Sequence, residues 1–160
     1  MNKTTTRLIS CKINGRTTEA AVDIRASLTD MLRGEYNLTS VKKGCEVGEC
    51  GACNVIINGE CYNSCIYLAI WADGKEITTT EGLVSDNGEL SSIQKAFINE
   101  GAVQCGFCTP GFLLSAQEII NSGREYSDEE LRRQLSGHLC RCTGYENIFR
   151  AVRKLAAKSH

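Results

Sequence analysis

The sequence predicts an α+β chain in two units: a small sheet-forming unit over 1–81 and a helical unit over 89–160, joined by a linker at 82–88. Three observations carry that reading. Two Asn-Gly pairs, Asn14-Gly15 and Asn58-Gly59, each stand between short β-prone runs, the strongest local signal for a hairpin. A glycine-rich cysteine loop, Gly44 to Cys53, separates the two hairpins. Beyond residue 88 the apolar period changes from two to roughly 3.6, the change from strand to helix.

The elements follow in order. Arg7 to Ile13 alternates, with Ile9, Cys11 and Ile13 on one face, and Thr17 to Val22 returns as the second strand. Cys11 is a small core residue on that face. Ser27 with Asp30 caps a short helix carrying Leu28, Met31 and Leu32, stopped near Gly34. Asn54 to Ile57 and the run from Glu60 form the second hairpin, which places Cys61 opposite Ile56 and residue 64 opposite Cys53. Ile66 to Trp71 is apolar, Asp73-Gly74 turns, and Glu76 to Thr80 is a β-branched closing strand. Hairpin, helix, cysteine loop, hairpin and strand fit a ferredoxin-like β-grasp domain. Gly82 to Gly88, with Ser85, Asp86 and Asn87, is polar and turn-rich and is expected to link the units.

Four short helices are predicted next, as a small bundle. Ser91 with Gln94 caps the first, which presents Ile93, Phe97 and Ile98 and stops near Gly101. Thr109-Pro110 opens the second, with Leu113, Leu114 and Ile119, ending near Gly123. Ser127 with Glu130 caps the third, carrying Leu131 and Leu135. Thr143 with Glu146 is expected to cap the fourth, with Ile148, Phe149, Val152 and Leu155 on one side. These stripes read as core.

Composition excludes several functions. Of 160 residues, 18 are basic and 19 acidic, so the net charge of −1 offers no electrostatic footprint for nucleic acid or an anionic membrane. No apolar run approaches a membrane span. The N-terminal residues lack the apolar core of a signal peptide, so a cytoplasmic location, where thiols stay reduced, is expected. Ten cysteines therefore call for a use other than disulfides.

Cys45, Cys50 and Cys53 lie in a C-x4-C-x2-C pattern, the spacing of a plant-type 2Fe–2S loop. Such a loop must bring backbone N–H groups close to sulfur, and Gly44, Gly48 and Gly51 permit it. Structural zinc is the alternative, but it requires no x4 gap. The fourth ligand has two candidates, Cys61 and Cys65. The hairpin register leaves Cys61 about three residues, roughly 10 Å, from the loop and returns Cys65 beside it, so Cys65 is chosen. A second set, Cys105-Gly-Phe-Cys108 and Cys140-Arg-Cys142, ends at two predicted helix starts, whose partial positive charge suits anionic sulfur. Zinc fits four thiolates there as well. No general base, nucleophile or nucleotide loop accompanies these cysteines.

Gly44-Cys-Glu-Val-Gly-Glu-Cys-Gly-Ala-Cys53, Gln104-Cys-Gly-Phe-Cys-Thr-Pro-Gly111 and Leu139-Cys-Arg-Cys-Thr-Gly-Tyr145 resemble the iron–sulfur subunit of the molybdenum hydroxylases. The family includes xanthine, aldehyde and nicotinate oxidoreductases, and Ser64 to Glu76 looks most like bacterial xanthine dehydrogenase small subunits. The resemblance implies two 2Fe–2S clusters and electron transfer between two larger partners. One partner would hold molybdenum on a pterin, nearer the Cys105–Cys142 set. The other would hold FAD, nearer the Cys45–Cys65 set. It also implies that Gln104 and the Cys142 segment approach the pterin. Asn54 and His138 depart from the family's usual threonine and asparagine. His138 is expected to face solvent or a partner. The competing readings are a free-standing electron carrier and a zinc-bound interaction module.

Overall fold

The computed structural model describes residues 5–85 and 87–156. Strand β1 (Thr6–Ile13) pairs antiparallel with β2 (Arg16–Asp23), and Ile9, Cys11 and Ile13 point into the core as the alternation predicts. The turn between them is left-handed at both residues, with φ +48 at Asn14 and +80 at Gly15, so its twist matches the strands. Helix α1 (Leu28–Gly34) begins where the Ser27 hydroxyl accepts from the Asp30 N–H, and it buries Leu28, Met31 and Leu32. Strands β3 (Asn54–Ile57) and β4 (Glu60–Asn63) pair in the predicted register, Cys61 opposite Ile56.

Strand β5 (Glu76–Thr78) completes a mixed sheet of order β2-β1-β5-β3-β4, parallel to β1 and antiparallel to β3. Ile77 is its centre, fully buried between Ile13 and Ile57. The strand stops two residues short of the expected Thr80, for a reason far away in sequence. The Thr79 N–H donates to Asn14 Oδ1 at 2.8 Å, so it is withdrawn from the ladder, and the chain coils into a 3-10 turn, Thr80–Leu83. That turn already occupies the start of the expected linker; Asp86, within it, lies outside the described residues.

Helices α2 (Ser92–Asn99), α3 (Thr109–Asn121), α4 (Asp128–Leu135) and α5 (Glu146–Ala156) pack around a second core of Ile93, Phe97, Phe112, Leu131, Ile148 and Val152. Both capping boxes form, Ser91 with Gln94 and Ser127 with Glu130, each satisfying two otherwise orphaned N–H groups. Ile98 leaves the apolar stripe and is 60% exposed, because one residue past Phe97 the helix has already turned away from the core. Thr143 does not cap α5. The helix begins only at Glu146, after Tyr145 in a left-handed conformation (φ +69), and the Thr143 hydroxyl accepts instead from the Tyr145 N–H. The two cores meet where β3 lies along α3. Among the described residues no helix is long and apolar enough to cross a membrane.

Because Ile77 fills the centre of the sheet, Ile77→Ala is expected to cost about 2–5 kcal/mol. Denaturant unfolding followed by circular dichroism measures it, and a loss below about 1 kcal/mol would show that β5 is not the keystone of the sheet.

Candidate metal centres

The loop between α1 and β3 curls back on its own first cysteine. Glu46 sits at φ +56, and the N–H groups of Val47 and Glu49 point at Cys45 Sγ, 3.5 and 3.3 Å away. Those amides, Val47 first, pull the Cys45 thiol down to about 6, so it is poised as a thiolate. Gly44 is required by space: a Cβ there would come within 2.8 Å of Cys50 Sγ. From the second hairpin, the Ser64 hydroxyl donates to the Cys53 carbonyl at 2.6 Å and the Asn63 amide donates to the Gly48 carbonyl at 2.9 Å. The end of β4 thus pins the loop from the far side.

That anchoring places the two candidate fourth cysteines differently. Cys65 follows directly and lies near Cys53; burial, then the neighbouring Cys53 thiol, pushes it up to about 11. Cys61 turns the other way, toward α3. Its N–H donates to Glu118 Oε1 at 2.9 Å, its sulfur lies 3.8 Å from Ser115 Oγ, and burial pushes it up to about 12. Among the described residues Cys61 shows no contact with another cysteine, and it stands opposite Ile56 as the hairpin register predicts.

In the helical unit, Cys105 and Cys142 approach to 3.6 Å between sulfurs, and the thiols of Cys108 and Cys140 lie close enough to perturb each other. Cys108 is buried at the residue just before α3; burial, then Cys140, pushes it up to about 12. Cys140 ends below the usual thiol range: burial raises it, but the Thr143 hydroxyl and N–H, 3.1 and 3.4 Å from its sulfur, outweigh that. Only one pair of this set therefore sits at a helix start. Cys142 lies in a run of turns before α5, because Thr143 has turned to serve Cys140. Gln104 is exposed beside exposed Cys105 and Phe107.

His138 corrects the sequence-based expectation. It is only 3% exposed, stacked on Phe112 with ring centroids 4.4 Å apart. Its Nε2 shares a 2.7 Å hydrogen bond with Ser115 Oγ, and Asn54 Nδ2 donates to the same hydroxyl at 3.2 Å. Burial holds the ring neutral, pulled down to about 4. The partners are on α3 and β3, so local pattern could not reveal them. The one signal was Gly111, a glycine inside a helix with no turn to make, which marks a close backbone approach.

The eight cysteines thus stand as pairs: Cys45 with Cys50, Cys53 with Cys65, Cys105 with Cys142, and Cys108 with Cys140. Among the described residues no three Cys, His, Asp or Glu side chains converge in the manner of a single-ion site. Two iron atoms bridged by sulfide take two thiolates each, so paired sulfurs in sets of two fit that donor requirement.

Residues 11–81 match the family described as 2Fe-2S iron-sulfur cluster binding domain, and residues 79–153 match the 2Fe-2S binding domain family. The chain is 47% identical over 154 residues to the xanthine dehydrogenase iron-sulfur-binding subunit of Escherichia coli O157:H7, covering 95% of this chain and 96% of that one. It is 46% identical over 153 residues to the nicotinate dehydrogenase small FeS subunit of Eubacterium barkeri, covering 96% and 95%. The crystal structure of quinoline 2-oxidoreductase from Pseudomonas putida 86 superposes with a TM-score of 0.90 at 42% identity, covering 96% of both chains. Fold and paired thiols together define a two-centre iron–sulfur protein. The chain belongs to the iron–sulfur subunits of the molybdenum hydroxylase family, the electron-transfer component of those oxidoreductases.

Replacing Cys65 by serine is expected to remove about two of four irons per chain, and Cys61→Ser to remove none, as thiolate ligation requires. Iron analysis of the purified variants checks this. Loss of iron from Cys61→Ser with Cys65→Ser intact would overturn the assignment.

Proposed function

We propose that this chain serves a xanthine dehydrogenase-like complex, with Cys45, Cys50, Cys53 and Cys65 holding one 2Fe–2S cluster and Cys105, Cys108, Cys140 and Cys142 the other. When bound, each cluster accepts and releases one electron. The observation that carries the reading is the pairing of all eight cysteines, two pairs to each unit. The chain's own residues enclose the sulfur, direct N–H groups at Cys45 and Cys140, and hold the two sets on adjoining elements. In this reading 1–81 is the ferredoxin-like domain, 82–88 the linker, and 89–160 a four-helix bundle domain.

The partners in this proposal are a molybdenum–pterin catalytic subunit and an FAD-binding subunit, in the cytoplasm. Gln104, Cys105, Phe107, Leu139 and Cys142 are exposed on the helical unit, with Cys142 beside Cys105, and would meet the first. Gln104 offers an amide donor and acceptor suited to a pterin edge, and Cys142 would lie close to it. Exposed Val47, Ile66 and Trp71 lie around the other set and would meet the flavin subunit. Relatives also include a nicotine 6-hydroxylase small subunit from Paenarthrobacter nicotinovorans, so complexes of this build act on several heterocycles.

The order of centres is tested in the assembled complex carrying Cys50→Ala. Substrate should still reduce molybdenum, while flavin reduction falls to a small fraction of the native rate; fast flavin reduction would overturn the order. In the same complex, Gln104→Ala should keep the native iron content and weaken pterin retention by on the order of 1–3 kcal/mol. Unchanged pterin content would remove Gln104 from that interface.

A further inference from the structure

The two cysteine sets meet through backbone contact, with the His138 ring packed beside it. The Leu139 N–H donates to the Cys50 carbonyl at 3.1 Å, so one hydrogen bond connects the residue before Cys140 to a cysteine of the other set. Beside it, the Gly51 peptide rests on the first turn of α3 at Gly111. A Cβ built on Gly111 would lie 2.2 Å from the Gly51 carbonyl oxygen and 3.1 Å from its carbonyl carbon. A Cβ on Gly51 would lie 2.3 Å from His138 Nδ1 and 2.6 Å from the Gly137 carbonyl. The two nearest neighbours at Gly111 are backbone, which cannot swing aside, and the others are backbone of Gly137 and the buried ring of His138. His138 closes the junction, held against it by Ser115 and Phe112.

Gly111 is the informative member. Unlike Gly51 (φ +67), it sits inside a helix at no positive φ, where alanine would be the better residue. The space for a side chain there is taken by the Gly51 peptide, with His138 Nδ1 beside it. We infer that Gly111 is a positioning residue for electron transfer: its missing side chain, with the His138–Ser115 brace, sets the separation of the two cluster loops. Electron exchange between centres falls exponentially with separation, and magnetic dipolar coupling falls with its cube. A methyl group wedged at 111 therefore weakens both while leaving every cysteine in place.

The inference rests on the two-cluster reading, and the experiment separates the two. The full chain is prepared with both clusters reduced, as native protein, as Gly111→Ala and as Gly137→Ala. Gly137 is in the same junction, but nothing lies within 4 Å of a Cβ built there. Iron content and electron paramagnetic resonance are measured on each. Native protein without two reduced-cluster signals would defeat the underlying reading. With both signals present, Gly111→Ala should keep the native iron content and g-values but show a narrower inter-cluster splitting, and Gly137→Ala should match native. An unchanged splitting in Gly111→Ala, or equal narrowing in Gly137→Ala, overturns the inference. If Gly111→Ala fails to hold both clusters, Ser115→Ala decides: it releases the brace without adding bulk, a narrowed splitting supports the inference, and an unchanged one refutes it.

Discussion

A thiolate taken out of water has to be met by N–H donors, and in this chain those donors come almost entirely from backbone. That constraint explains why both cysteine segments are irregular. A helix or strand spends its N–H groups on its own ladder, whereas the loop before β3 turns the amides of Val47 and Glu49 onto Cys45. The run before α5 does the same with Thr143 and Cys140. The regular elements serve as anchors: β4 pins one loop through Asn63 and Ser64, and α3 starts directly at Cys108.

The same constraint governs how the two units meet. Each has its own apolar core, and where they meet Asn54, Ser115, His138 and the Cys61–Glu118 pair make polar links. A buried polar cluster is favourable only when its members find partners. Among the described residues Asn54 Oδ1 finds none, while His138 Nδ1 lies against the Gly51 peptide. Both residues lie at the seam between the cysteine sets. The seam holds its geometry through steric contact at Gly51 and Gly111 more than through hydrogen bonding.

Much of this was legible because it is local. Asn14-Gly15 and Asn58-Gly59 dictate their own turns, and the second fixes the register that separates Cys65 from Cys61. Ser91 with Gln94 and Ser127 with Glu130 are self-contained caps. What escaped the sequence was set at a distance. Thr79 leaves its strand because Asn14, on another hairpin, captures its amide. Thr143 matches the capping pattern, but the sulfur of Cys140 competes for its hydroxyl, so α5 starts late. His138 is buried by Phe112 and Ser115, which no local pattern connects to it.

Everything above depends on paired thiols holding iron in twos. The most direct measurement is iron, zinc and acid-labile sulfide content of the native chain, with electron paramagnetic resonance after dithionite reduction. Eight thiolates at two per iron predict about four irons and four sulfides per chain, and two distinguishable signals. Zinc without sulfide, or a single signal from about two irons, would contradict the account.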